Sequence, residues 1–400
     1  MIRRVLVVIA VIIGLGGGLI SYGFNAAMAF GPHIALIDLD DAIHPSSARF
    51  VKRAILQAID DEASVLIIRL NTPGGLLDST REIVEATLNS PIPIVVFVAP
   101  ESAHAASAGT FITAAAHIAA MAPVTSIGAA TPVSIGGEIP DKLERKISQD
   151  AAAFLREIAK ERGRNAESLE ATVFEGISYT SSEALEENII DFVADDVPNL
   201  IHLIDGMTVE LRSGSVILEL EGLEVLEIER TALEIFLSFL ADPNLALVLV
   251  SFGLIAILIE WVIPGLWGPG ILGVISLSLG LVALGELPVN WIGVVLMLFA
   301  VFLFYLEIQA AGIGIFGVSG VIAFLVGGFL LVGGITPPAI PQPNDAPSFR
   351  VNPYLLVSIT GGIGAAIIFL VKDLAKARIL ASKDLGSTAP LVGQVASTIT

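Results

Sequence analysis

Between Asp242 and Lys372 the chain carries only five charged residues: Glu260, Glu286, Glu307, Asp345 and Arg350. From about Phe30 to Arg230 it reads as an ordinary soluble domain. This composition shift divides the protein into a soluble half and a membrane half. Five apolar segments, near 245–263, 269–286, 288–306, 312–335 and 353–371, each approach the roughly 20 residues a spanning helix needs. Lys372, Lys376, Arg378 and Lys383 follow the last one, and positive charge stays on the cytoplasmic side. An odd number of spans then leaves the soluble half, and the loop 337–350, on the outer side.

The membrane half repeats internally. Glu260, Gly265, Gly270, Gly273 and Val274 align with Glu307, Gly312, Gly317, Gly320 and Val321, every pair offset by the same interval. Each copy reads as a helical hairpin bent at glycines, where helices pack closely. The two glutamates either mark span ends at the interface or form a polar site between hairpins, because intramembrane acids are often functional.

The N-terminus reads as an address. Arg3 and Arg4 precede an apolar run from Val5 to Ile20, and Ala27-Met28-Ala29 is a small-x-small cleavage pattern. Residues 1–29 are either a signal peptide cut after Ala29 or an anchor helix, and both export Phe30 onward. A net charge of −19 without a basic cluster speaks against nucleic acid, whose phosphates need grouped Lys and Arg. The chain has no cysteine, which excludes disulfides, a thiolate nucleophile and cysteine-bound metal. His33, His44, His104, His117 and His202 lack metal-ligand spacing. Neither metal nor cofactor is expected.

In the soluble half, short apolar runs at 33–40, 64–70 and 92–99 read as buried strands. Ser46 and Ser47 are candidate caps of a helix carrying Phe50, Ile55, Leu56 and Ile59, and 76–89 reads as a second helix. Strands alternating with helices give βαβ units and a largely parallel sheet, whose ligands bind at the carboxyl ends of strands. Two unusual loops lie at those ends: NTPGG (71–75) and ESAHAASAGT (101–110). In the first, Pro73 fixes φ while Gly74 and Gly75 reach conformations closed to other residues, so the loop is either a plain turn or a device aiming N–H groups at an oxygen. In the second, Ser107 precedes FITAAAHIAAMA (111–122), which reads as a helix. Ser107 is then a simple N-cap, or a nucleophile whose anion the helix N-terminus favours.

The base for such a serine is not fixed by spacing. His117, further along the expected helix, lies about 15 Å away, and His104 has no evident orienting acid. In 141–165 an apolar stripe of Ile147, Ala151, Phe154, Leu155 and Ile158 marks an amphipathic helix. Lys142 and Lys146 both stand at its start, and residue spacing does not choose between them.

Together these pieces resemble the nodulation-formation-efficiency D family, membrane-bound relatives of ClpP. The matching stretches are LNTPGGLLDST (70–80), AASAGTFITAAAHIAAMAPVTSIGAATPV (105–133), KISQDAAAFLREIAKERGRNAE (146–167) and SYTSSEALEENIIDFVADD (178–196). The resemblance spans roughly 30–375. It implies an α/β ClpP/crotonase-like domain of repeated ββα units over 30–205, followed by an all-α polytopic membrane domain over 243–371. It places Ser107 at the nucleophile position and Lys146 at the lysine position, because Lys146 begins the stretch running without a gap into GRN (163–165). It implies that the N–H groups of Gly75 and Ala108 form the oxyanion hole, with Gly74 beside them in the substrate site. Histidine-using relatives carry their histidine where this chain has SIGAATP (126–132), which agrees with a Ser-Lys dyad. The implied activity is a serine endopeptidase acting on apolar segments of stomatin- or prohibitin-like proteins at the lipid surface, with the soluble domain oligomeric. The alternatives are a signal-peptide-peptidase-like protease, or a non-catalytic scaffold for stomatin-like partners. An acyl-CoA crotonase would leave Ser107 and Lys146 idle.

Residues 206–242 link the halves. Apolar–acidic alternation from 216 suggests an edge hairpin, and the following amphipathic stretch a collar on the membrane surface. At the other end, 372–400 is expected to be cytoplasmic. APLVGQVASTIT (389–400) resembles only the first strand of an OB barrel, and one strand cannot close a barrel.

Overall fold

The three apolar runs become β1 (Ile34–Asp40), β2 (Val65–Asn71) and β3 (Ile94–Val98) in a computed structural model, which describes residues 31–132, 141–310, 314–332 and 351–387. Their side chains are buried on both faces, as strands of a covered parallel sheet must be. With β5 (Ile118–Met121), β8 (Phe192–Val193) and β11 (Val225–Glu227) they form a six-stranded parallel sheet ordered β11-β1-β2-β3-β5-β8. The first crossovers are α1 (Pro45–Asp60), α2 (Leu77–Leu88) and α3 (Ala108–Ala115).

Each of β1, β2, β3 and β5 is followed by a short extended segment in a second layer before its helix begins. β4 (His104–Ala106) pairs there with β6 (Ser126–Gly128). The bridges Thr72–Ala105 and Ile43–Gly75 extend the layer, and β7 (Ser178–Thr180) closes it against β6. Strand, second-layer segment and helix recur down to β5, β6 and α4 (Asp141–Glu161). This is the expected ClpP-like ββα repeat. α5 (Ala166–Phe174), α6 (Ser181–Glu186), α7 (Val197–Ile204) and the hairpin β9 (Thr208–Leu211)–β10 (Gly214–Ile217) complete the domain.

Several expectations change. The helix expected over 111–122 stops at Ala115, and Ile118–Met121 is a sheet strand between β3 and β8. The cap of α1 is His44, with Ser46 and Ser47 inside the first turn. The hairpin lies at 208–217, not from 216. The α/β domain also runs past 205, because β11 pairs with β1 at the sheet edge.

Helix α8 (Ala232–Leu240) starts from a Thr231/Glu234 capping box and exposes Leu233, Ile235, Phe236 and Phe239. Among the described residues four helices are long and apolar enough to span a bilayer: α9 (Pro243–Val262), α10 (Gly268–Gly285), α11 (Trp291–Gln309) and the 353–373 part of α13 (Pro353–Ser387). α12 (Ile315–Leu331), at 17 residues, is shorter. α9 packs with α10, and α11 with α12, as two hairpins. The repeat is visible in their contacts. A Cβ on Gly273 would come within 2.9 Å of the Ile257 amide, and one on Gly320 within 2.6 Å of Phe304. Gly280 faces Val250 as Gly327 faces Met297. Glu307 accepts the Gly314 and Gly317 N–H groups at 2.8 and 3.0 Å, so it caps the start of α12. Glu260 accepts Gly265 N–H at 3.2 Å, while its Oε2 is buried without a partner among the described residues. Trp261 stacks on Tyr305 at one end of the bundle, and Trp291 and Tyr354 are exposed at the other. Such rings settle at lipid–water interfaces. The export segment 1–29, Gly312, the loop 337–350 and the tail 389–400 lie outside the described residues.

Candidate active site

Ser107 ends β4 and is the N-cap of α3, with φ 51° and ψ −107°. A non-glycine residue with positive φ is strained, and such strain clusters at functional sites. The conformation is held from three sides. Ser107 N–H donates to Gly128 O at 2.8 Å. Thr110 Oγ1 donates to the same carbonyl at 2.9 Å and to Ala105 O at 3.1 Å. Gly109 packs so tightly that a Cβ there would meet Thr72 Cγ2 at 2.8 Å. The small residues of AASAGT thus let α3 press its start against the NTPGG loop.

That loop answers from across the gap. Thr72 N–H donates to His104 O and Ala106 N–H to Thr72 O, at 2.8 and 3.1 Å. Gly74 has φ 117°, and a Cβ on it would lie 2.8 Å from Ser107 Cβ, so only glycine admits the serine. Gly74 N–H is engaged with Thr72 Oγ1 at 3.2 Å. Gly75 N–H and Ala108 N–H have no acceptor among the described residues. The second sits at a helix N-terminus, where backbone donors favour negative charge. Ser107 is half-buried between these donors, at the carboxyl ends of β2 and β3.

Neither histidine serves the serine. His117 follows α3 rather than belonging to it. Its Nδ1 accepts Ile94 N–H at 3.1 Å, and burial together with the nearby Arg162 guanidinium pushes its pKa down to about 3. His104, on β4, makes no hydrogen bond to Ser107.

Lys146 lies on α4, whose direction is fixed by its contacts. Arg162 Nε donates to Ala115 O at 2.8 Å, so the end of α4 meets the end of α3. Phe154 stacks on Phe111 at 5.9 Å, and Arg81 of α2 lies over the same ring and bonds Asp150. The two helices therefore run parallel and both begin at the serine end. Counting back from the ring pair, Lys146 lies about 12 Å and Ser107 about 6 Å along the axes. Lys146 is thus at the serine end of α4, exposed, and not hydrogen-bonded to Ser107. Residues 142–146 are all exposed, whereas Ala151, Leu155 and Ile158 are buried. Among the described residues no group of acids and histidines is disposed to hold a metal.

Ile43, Thr72 and Thr110 also build the site; the sequence marked the loops that hold the two threonines but gave neither residue a part, and did not mark Ile43 at all. Their part is played by backbone and short hydroxyl bonds between distant segments, which leave no spacing pattern.

Residues 33–228 match the family model for the N-terminal domain of NfeD1b, and residues 244–372 match that for the NfeD integral membrane domain. Membrane-bound protease PH1510 of Pyrococcus horikoshii is 36% identical over 287 residues, 70% of this chain and 65% of that protein. Membrane protein NfeD1b of Bacillus subtilis is 25% identical over 320 residues, 77% of this chain and 69% of the relative. The chain therefore spans about two thirds of the length of these curated relatives. Among solved structures, the 1510-N membrane protease specific for a stomatin homolog from Pyrococcus horikoshii shares 30% identity at a TM-score of 0.47, covering 53% of this chain and all of that one. A lysine-to-alanine mutant of 1510-N in complex with a substrate peptide shares 32% at a TM-score of 0.49, covering 52% and 97%. With both family models matched in order along most of its length, the chain belongs to the NfeD family.

Proposed function

We propose that this chain is a membrane-bound serine endopeptidase in which Ser107 is the nucleophile, Lys146 the base, and the Gly75 and Ala108 N–H groups the oxyanion hole. The observation that carries this reading is a strained serine facing two unpartnered backbone donors across a contact that only glycine at 74 permits. Neutral Lys146 takes the Ser107 proton, and Oγ attacks the peptide carbonyl. The carbonyl oxygen becomes an oxyanion held by the two donors, each commonly worth about 2.7–4 kcal/mol. The lysine ammonium then protonates the leaving amine, and water deprotonated by the same lysine releases the acyl-enzyme. For this the first turns of α4 move by about one helical pitch, ~5.4 Å. Residues 142–146 bury nothing, so the movement disrupts no core.

The substrates are apolar segments of stomatin-like membrane proteins, in line with the specificity named for the 1510-N relative. The α/β domain works as an oligomer outside the membrane, with α8 lying on the lipid surface and the end of α13 in the cytoplasm. The test is cleavage of an apolar peptide by the full chain in detergent, with Ser107→Ala and Lys146→Ala beside it. Each is expected to lose about a thousandfold or more in kcat while unfolding at the wild-type temperature. Cleavage by either variant at the wild-type rate removes the dyad, and a wild type that cleaves nothing leaves the scaffold role.

A further inference from the structure

Glu286 stands where a carboxylate has least reason to be. It caps the C-terminal end of α10, where the helix dipole is negative and disfavours a second negative charge. It is nonetheless buried, at 5% exposure. Both of its oxygens leave the membrane domain. Oε2 accepts Ser46 N–H at 2.9 Å, and Oε1 accepts Arg49 Nη2 at 2.5 Å. Both donors belong to the start of α1, where an anion is favoured. Glu286 also has no counterpart in the repeat, because the equivalent position is Gly333.

The turn before α1 is built around the same point. His44 is 2% exposed. Its Nε2 lies 3.1 Å from Asp41 Oδ2, and its Nδ1 lies 2.7 Å from Ser46 Oγ and 3.9 Å from Glu286 Oε2. Arg230 joins Asp41 at 3.4 Å and Ser238 of α8 at 2.8 Å. Burial raises the Asp41 pKa, but His44 and Arg230 outweigh it and hold the carboxyl below its ordinary value.

Next to His44 is Ile43, whose backbone brackets Gly75. Ile43 N–H donates to Gly74 O at 2.9 Å, and Leu76 N–H donates to Ile43 O at 2.8 Å. A Cβ on Gly75 would lie 2.1 Å from Ile43 O, so this register admits only glycine. The bracket turns Gly75 N–H away from Ile43 and leaves it without an acceptor among the described residues. Only His44 and Pro45 separate Ile43 from Ser46, the residue that Glu286 grips.

We infer that Glu286 is a positioning residue: by clamping the start of α1 to the membrane domain, it holds Ile43 and thereby aims the Gly75 N–H at the substrate oxyanion. The inference rests on the proteolytic reading of Ser107. It makes the aim of the oxyanion donor depend on how the α/β domain is seated on its membrane bundle.

The experiment uses the full chain in lipid nanodiscs, with Glu286→Ala, Glu286→Gln and Arg49→Ala. Three readouts are taken: kcat and KM on an apolar peptide, Ser107 labelling by a fluorophosphonate, and amide hydrogen exchange at Ile43 and Leu76. Glu286→Ala is expected to lower kcat and the labelling rate about tenfold, a fraction of what losing an oxyanion donor costs. KM should stay within about twofold, because only transition-state binding is lost. Exchange at Ile43 and Leu76 should quicken. Glu286→Gln, which still accepts Ser46 N–H, should recover most of the rate, and Arg49→Ala should fall between. A folded Glu286→Ala protein with unchanged kcat overturns the inference, as does a lower kcat with unchanged exchange. If Glu286→Ala does not fold, Arg49→Ala decides on the same terms. A wild type that neither cleaves nor labels defeats the proteolytic reading alone, because the exchange arm still reports whether Glu286 holds the Ile43–Gly75 bracket.

Discussion

The two halves of this protein use close glycine contacts to opposite ends. In the membrane domain they come in copies: Gly273 with Gly320 and Gly280 with Gly327, each against the equivalent neighbour. In the α/β domain the ββα units share an outline, but one alone carries Ser107, and the contacts of Gly74 on Ser107 and Gly109 on Thr72 are made once. Feature copied in both hairpins is what holds a hairpin together. What interrupts the copying needs another reason. By that measure Glu307, which caps α12, and Glu260, which binds the turn before α10, are structural, whereas Ser107 and Glu286 are the exceptions.

The comparison breaks most easily at Gly75. Gly75→Ala places a Cβ against the Ile43 backbone, so the 71–75 loop must leave its register. Cleavage by the full chain is expected to drop about a hundredfold or more. Normal kinetics in that variant would mean the unrepeated contact is not the site. A middle-sized effect sharpens the other side. Gly280→Ala and Gly327→Ala each push into a facing helix backbone and should cost about 1–3 kcal/mol of unfolding stability in bicelles. The two losses should be similar, and the turnover of the protein that remains folded should not change. Unequal losses would show that the hairpins have diverged in task. The smallest effect concerns the caps. Glu307→Gln should cost about 1 kcal/mol, because two backbone N–H groups lose their carboxylate. Glu260→Gln should cost less, with one such bond. A fall in cleavage at Glu260→Gln would instead move that glutamate from architecture to function.

Much of the α/β domain was legible because its strands are short, apolar and buried on both faces. β1, β2 and β3 fall within one or two residues of the runs that announced them. β5 was hidden for a physical reason. Ile118–Met121 continues an alanine-rich run whose local preference is helical, and burial between β3 and β8 overrides it. β4, β6 and β11 are three residues each, too short to show a period. At the candidate site, composition marked the two loops that hold Ser107 and the two glycines but left plain turn and cap readings open, and spacing did not choose between Lys142 and Lys146. The family resemblance chose, and α4 begins at the serine end with Lys146 exposed and without a bond to Ser107. The Glu286 clamp joins residues 240 positions apart, and no motif encodes such a contact.

The turns between α9 and α10 and between α11 and α12 have one further consequence. Each spans only a few residues, from Val262 to Gly268 and from Gln309 to Ile315, and in each a glutamate from the preceding helix binds backbone N–H groups of the turn. Both hairpins therefore reverse direction without a hydrophilic loop, and the bundle is nearly bald on the side away from the α/β domain. Among the described residues only α13, running on to Ser387, projects there. Among the described residues, that single rod is what the far face of the bundle offers for anything to grip.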